Sequence, residues 1–316
     1  MRVAVYVPLL LSLVAPLGAR PLAERCEPRL ATWLLTASAL VLGAASTISL
    51  GLLAVTGLIR VPRLAALGHW SAATARHDDP AALSVALLAG LLLGVAVLMA
   101  ARMLWRRTRS LASAAWDAAC MPAREGLVVL PDDAPDAFAL PGLPGRVVVS
   151  TGMLRTLDET EHGILLAHER AHLTAHHYAF VALAQFGAAA NPVLRPLATA
   201  VTYTIERWAD ESAAAQAGDR RRVARTVGKA ALAALRTPAP AHAAGTTLGI
   251  LGILGRRGPL ASAGPVPRRV AALLAPPLGR HPALTAATAA VLTATALTTA
   301  EAAHDLHLLL RTVGAW

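Results

Sequence analysis

Five consecutive residues, His168-Glu169-Arg170-Ala171-His172, place two imidazoles four positions apart with a carboxylate beside the first. On a helix, residues i and i+4 lie one turn apart on the same face. Two imidazoles so placed can share one zinc ion at about 2.0–2.1 Å each. Glu169 can then point at the metal-bound water and act as general base. A short pattern of this kind also recurs by chance in His-containing amphipathic helices, so the surroundings must decide. A catalytic zinc needs a third protein ligand and an open position for water. Glu206 is the best candidate, because it begins Glu206-Arg207-Trp208-Ala209-Asp210, in which two carboxylates again stand one turn apart. In that arrangement Glu206 ligates zinc and Asp210 accepts a hydrogen bond from a ligand histidine. The competing reading is a solvated acidic face that includes Glu211 and pairs with Arg207 and Arg220–Arg222. Acids inside an otherwise apolar and basic segment favour the site.

His176 also shares the face of His168 and His172. Four residues of straight helix advance about 6 Å, which is too far for a metal already held by the first two, and no Gly turn follows to bring the ring back. His176 is therefore read as a surface residue or as support for a ligand. His177 is read as pointing elsewhere, and His162 lies on another face. The chemistry that these types and spacings predict is zinc-assisted peptide hydrolysis with one Zn2+ per chain. In it Glu169 takes a proton from the attacking water and passes it to the leaving amine.

The elements that must carry these residues are legible around them. Leu127–Leu130 and Arg146–Ser150 are short β-branched runs, with Asp136–Leu140 between them, bounded by Pro135 and Pro141-Gly142. This predicts two or three strands of a small sheet. The strand around Phe138 is a candidate for binding substrate backbone as an added strand. A helix starts near Asp158, which has a capping-box partner at Glu161, and runs to about His177. A second apolar stretch, 178–190, breaks at Asn191-Pro192. A further helix covers Leu197–Ala217 and closes at Gly218. Segment 237–281 is rich in Pro, Gly and Ala and reads as a flexible basic connector.

Most of the remaining sequence is apolar. Hydrophobic residues make up 55% of the 316, charged residues only 15%, and the mean hydropathy is +0.52. Soluble domains carry about 25% charged residues, so the balance points to a membrane protein. Charge-free stretches at 3–19, 30–59, 81–101 and 282–300 approach or exceed the roughly 20 residues a helix needs to cross the hydrocarbon core. The expected spans are about 3–19, 33–59, 81–101 and 282–303, with a short tail to 316. The first reads as an uncleaved span and not as a signal peptide, because further spans follow at once. The chain thus divides into an N-terminal membrane domain (1–101), a zinc metallopeptidase domain (102–236), the connector and the fourth span.

Arg102, Arg106, Arg107 and Arg109 directly follow the third span. Segment 102–280 holds 21 of the 29 Lys and Arg against 13 of the 19 Asp and Glu, a surplus of 8 within the net +10 of the chain. Positive charge collects on the cytoplasmic side of membranes. The peptidase segment is therefore expected in the cytoplasm and the N-terminus outside, in a multi-pass protein of the cell (plasma) membrane. The arginines next to spans serve topology, so nucleic acid is not an expected partner. The spans carry no ionisable residue of the kind that transporters place there. Cys26 and Cys120 stand far apart and form no Cys-x-x-Cys pair.

The motifs Ala167–His172 (AHERAH), the Asn191-Pro192 break and Glu206–Asp210 (ERWAD), with three spans before them and one after, resemble the BlaR/MecR-type antirepressor membrane metallopeptidases. The segment is also similar to the CAAX-type and HtpX-like membrane peptidases, on Ala137–Gly142, Val149–Leu154 and Leu165–Glu169. The distance from His172 to Glu206 fits the BlaR/MecR type better. The resemblance implies a mainly α membrane protein of about four transmembrane helices, with a cytoplasmic α+β zincin-like domain between the third and fourth. It implies zinc on His168, His172 and Glu206, catalysis by Glu169 and support from Asp210. It further implies a protein or peptide substrate, with a transcriptional repressor as one such partner. Those receptors carry a large extracellular domain after the last span, whereas Glu301–Trp316 is too short for one, so direct β-lactam sensing is not expected. Two alternatives stand beside this reading: a peptidase of membrane-protein quality control, and a non-catalytic membrane signal transducer that keeps the fold.

Overall fold

The computed structural model describes residues 4–58, 82–236 and 265–313. The segment between the second and third expected spans and most of the connector lie outside the described residues. A 3-10 turn (Ala4–Tyr6) leads into α1 (Val7–Arg25), which runs through Pro16 and Pro21. α2 (Pro28–Leu58) returns antiparallel to it, and α3 (Ala82–Cys120) is 39 residues long. The expected third span and the basic helix after it are thus one continuous rod. Strands β1 (Leu127–Leu130), β2 (Ala137–Leu140) and β3 (Arg146–Ser150) follow. Then come α4 (Thr151–Thr156), α5 (Glu159–Thr174), α6 (His177–Ala190), a 3-10 turn at Pro192–Leu194, α7 (Arg195–Ala217) and α8 (Arg220–Arg236). α9 (Pro265–Leu274) and α10 (Pro282–Val313) complete the described chain. Four helices, Ala4–Arg25, Pro28–Val55, Leu83–Cys120 and Pro282–Leu308, are long and apolar enough to cross a membrane.

The three strands lie in the order β1-β3-β2, with β1 parallel and β2 antiparallel to β3. Side chains alternate across a strand, and the valines of β3 divide accordingly. Val148 packs with Val128 and Phe138 against Ala114 and Ala118 of the α3 extension. Val147 and Val149 face Met153 and Leu157, with Leu165, Leu166 and Leu173 of α5. The sheet is therefore clamped between α3 and α5. The expected capping box holds α5 at its start, with the Asp158 side chain accepting from the Glu161 main-chain N–H and the Glu161 side chain accepting from that of Asp158.

α6 and α7 form a hairpin that lies along the spans and shares one core with them, including Leu35, Leu42, Phe180, Val181, Leu197 and Val201. At its tip, Asn191 Nδ2 donates to Ser46 Oγ at 2.9 Å, and Ser46 also meets Ser12 at 2.9 Å. Ser46 stands about 27 Å along α2 from Pro28 at 1.5 Å per residue, close to the ~30 Å thickness of a hydrocarbon core. Gly187 of α6 permits this approach, because a Cβ there would lie 2.1 Å from the Ala39 carbonyl oxygen of α2.

Two expectations are corrected. The helix carrying His168 ends at Thr174 and not at about His177, because His176 takes a left-handed conformation (φ 50°) that turns the chain into α6. Within the segment read as a flexible connector, Pro265–Leu274 is a helix. Its Leu273 is buried with Ile164, Ala167, Ala213 and Val223 of α5, α7 and α8. That burial supplies the ordering that the Pro/Gly/Ala composition alone does not announce.

The close approach of α6 and α2 yields a paired prediction. Gly187→Ala should destabilise the protein by about 1–3 kcal/mol through overpacking. Gly163→Ala, at a position in α5 with nothing within 4 Å of an added Cβ, should instead stabilise by up to about 1 kcal/mol through helix propensity. Thermal unfolding in detergent reads both. Equal effects at the two positions would mean that the helix pair does not meet at Gly187.

Candidate metal centre

The turn of α5 and the second half of α7 bring the expected residues together. His168 Nε2 and His172 Nε2 are 3.2 Å apart. Glu206 Oε2 lies 3.6 Å from His168 Nε2, and Glu206 Oε1 lies 3.7 Å from His172 Nε2. Ligand atoms about 2.1 Å from a tetrahedral zinc stand roughly 3.4 Å from one another. The three residues therefore fit a metal ion as they stand, and they form a buried group able to hold one. Glu206 Oε1 and Glu169 Oε2 are buried with no hydrogen-bond partner among the described residues. Buried polar atoms are ordinarily paired, so this is a cluster shaped for a guest.

The surrounding groups fix the two imidazoles differently. Asp210 Oδ1 lies 3.1 Å from His168 Nδ1, within ion-pairing distance although the ring N–H does not aim well at it. Burial pulls the His168 pKa down, but the Asp210 and Glu206 carboxylates outweigh it and hold the metal-free ring at about 10. His172 is 4% exposed and burial keeps it neutral, well below its ordinary value. Its Nδ1 meets His177 Nδ1 at 2.8 Å. Burial also lowers His177, to about 4. With both rings neutral, the tautomer that frees His172 Nε2 for a metal has His172 Nδ1–H donating to His177 Nδ1. His177 is held in place by Trp208, at 4.7 Å between ring centroids, and Trp208 by Phe180 at 5.9 Å.

Glu169 is 5% exposed, and burial raises its carboxyl to about 7, against the lowering effect of His168. Glu206 is also buried, yet Arg269 above all, followed by His168, draws it down to about 2. Asp210 is lowered further by the same arginine. Arg269 comes from α9. Its Nε and Nη2 donate to Asp210 Oδ2 and Oδ1 at 2.8 and 2.7 Å, and its Nη1 pairs with Glu206 Oε2 at 2.8 Å.

Sequence reasoning thus placed His168, Glu169, His172, Glu206 and Asp210 in one cluster and missed two residues. His177 does not point elsewhere. The left-handed His176 swings it under His172, while the His176 side chain stays exposed and meets Tyr178 Oη at 3.3 Å. Arg269 was hidden because it lies 59 residues beyond Asp210 in a segment with a loop-like composition. His162 is structural, its Nε2 contacting the Leu154 carbonyl at 2.7 Å. The alternative acidic face survives only at Glu211, which pairs with Arg220.

Residues 99–190 match the model of peptidase family M48. The matched segment is less than a third of the chain and takes in the end of α3, the sheet, α4, α5 and α6. It includes His168, Glu169 and His172 but stops short of Glu206 and Arg269. No curated protein and no solved structure matches the chain. The family match and the four apolar helices together suggest a membrane metallopeptidase.

Two variants test the residues that the sequence did not reveal. Arg269→Met leaves buried carboxylates without their cation, so with a chelator present it should cost about 3–5 kcal/mol of stability. Added zinc should return most of that loss by supplying positive charge to the same carboxylates. Equal losses with and without zinc would reduce Arg269 to a packing residue of α9. His177→Phe keeps the ring volume but removes the acceptor, and it should weaken zinc affinity about 10–100-fold in a competition titration.

Proposed function

We propose that the chain is an integral-membrane zinc endopeptidase. The observation that carries this reading is the meeting of His168, His172 and Glu206 at ligand distances beside the buried, unpartnered carboxylate of Glu169. Zinc, when bound, supplies a Lewis acid for the scissile carbonyl and lowers the pKa of water. Glu169 accepts the proton of that water and delivers it to the leaving amine. Asp210 orients His168, and His177 fixes the tautomer of His172. β2 is an edge strand packed beside α5, so an extended peptide can add to its free side and run past the site. Asp136, just before β2, lies near enough to influence Glu169 electrostatically.

The arginines after the third span support a cytoplasmic site with the N-terminus outside. The length of the α6–α7 hairpin along α2 supports an element that enters the apolar layer over about residues 180–203 and returns to the same side. Its base then leaves the metal residues close to the membrane surface. That location favours substrates presented near the bilayer, whether a membrane protein marked for turnover or a repressor drawn to it. For the repressor, the support is the AHERAH and ERWAD resemblance to the BlaR/MecR type.

The test is metal content and peptide hydrolysis of the detergent-purified full chain. Wild type should hold about one zinc and cleave members of a fluorogenic peptide library. His168→Ala and Glu206→Ala should lose the metal. Glu169→Gln should keep it while kcat falls by about 10²–10⁴. A Glu169→Gln protein with full activity would remove Glu169 as the base, and a wild type without zinc and without cleavage, or a Glu206→Ala protein with full zinc, would remove the metal assignment and favour the non-catalytic transducer.

A further inference from the structure

A cavity of about 240 Å³ opens between the end of α1, α7 and α9, lined on its polar side by Arg207, Arg268, Tyr203 and Glu24. Arg207 is only 3% exposed. Among the described residues, its side chain makes one hydrogen bond, from Nη1 to the Ala23 carbonyl at 3.0 Å, stands over the Tyr203 ring at 6.0 Å and pairs with no carboxylate. That bond satisfies one of the carbonyls left open at the end of α1. A guanidinium carries five N–H donors, so most of its capacity is unused in a place where an unpaired charge is costly.

Its neighbours add to the same demand. Arg268 stacks over Tyr203 at 4.4 Å and reaches Glu24 Oε1 at 3.2 Å. That carboxylate is already shared with Arg20 at 3.0 Å. The Tyr203 hydroxyl has no hydrogen-bond partner among the described residues. The opposite wall is apolar, formed by Ala272, Pro276 and Leu278 among others. The cavity also sits where the spans end. Glu24 is in the last turn of α1, and the Glu27 N–H that opens α2 donates to the Gly279 carbonyl just before α10 at 3.1 Å.

We propose that this cavity binds the phosphate group of an anionic phospholipid. Arg207 and Arg268 provide the charge-assisted donors, Tyr203 a neutral one, and the apolar wall receives the glycerol and upper acyl chain. Anionic lipids collect next to basic segments on the cytoplasmic face, the face to which the arginines assign this end of the spans. Arg207 follows Glu206 and Arg268 precedes Arg269, so the lipid phosphate and the metal residues are held by successive residues of α7 and α9.

The experiment is thermal unfolding of the full chain in detergent, titrated separately with phosphatidylglycerol, phosphatidylcholine and inorganic phosphate. Phosphatidylglycerol should raise the unfolding temperature saturably and phosphatidylcholine should not. Inorganic phosphate acting as strongly as the lipid would keep the phosphate site and make free phosphate its ligand. Arg268→Gln, at a half-exposed position, should weaken the apparent affinity by about tenfold, and Arg207→Gln by at least as much where it folds. Arg102→Gln, at an exposed position on α3, should leave it nearly unchanged. Equal shifts with both lipids, or an equal weakening by Arg102→Gln and Arg268→Gln, would overturn the site and ascribe the effect to the general basic belt.

Discussion

The structure depends on holding three carboxylates, Glu169, Glu206 and Asp210, inside one small buried volume. Carboxylates so close repel one another and have lost their water, so each needs a cation or a proton. The chain meets the demand in three ways. Arg269 satisfies Asp210 on both oxygens and touches Glu206. His168 shares its proton field between the same two acids. Glu169 is left to be protonated near neutrality, or to face a metal. His168 is the cation that α5 itself brings to the cluster, and α9 adds the second, Arg269. Arg207 follows Glu206 directly and points to the opposite side of α7.

A charge cluster of this kind requires rigid supports, and the spans provide them. α2 is met along most of its length by α6 and α7, and the contact is closest at Gly187. A line of rings then runs from the span to the site: Trp33 on Phe180 at 4.8 Å, Phe180 on Trp208, Trp208 on His177 and His177 on His172. Aromatic rings have few rotamers and fixed edge-to-face preferences. The position of His172 is thereby referred to the membrane bundle and not to a surface loop. On the other flank, the sheet is pinned by the same α3 whose apolar half is long enough to cross a membrane. The metal-centre helices and the long apolar helices thus pack together along α3, α6 and α7.

What was legible in the sequence was local. The i, i+4 spacing of His168 and His172, the Asp158–Glu161 capping box, the β-branched strands and the Asn191-Pro192 break each depend on neighbours a few residues away, and each appears where expected. Glu206 and Asp210 were legible because carboxylates are conspicuous in apolar surroundings. The residues that escaped depend on geometry that no short window contains. His177 was misread because a helix was extended through His176, whose left-handed conformation is uncommon for a non-glycine residue and carries no signature of its own. Arg269 was missed because its segment was read as a connector: propensity is a weak prior, and the helix that delivers it is ordered by burial of Leu273 against three other helices.

Asp210 depends on Arg269 as well as on the histidine beside it. Burial pushes an aspartate only 2% exposed toward its uncharged, protonated form. A protonated Asp210 would no longer attract the His168 Nδ1–H, and the ring could turn its Nε2 away from Glu206. The bidentate guanidinium prevents this by keeping Asp210 ionised, as its strongly lowered pKa records. Arg269 thus acts on the metal residues through His168 as well as directly through Glu206. A lysine in its place would supply charge without the planar fork that fixes both carboxylate oxygens, so the orientation of His168 rests on an arginine at this position and on the helix that holds it there.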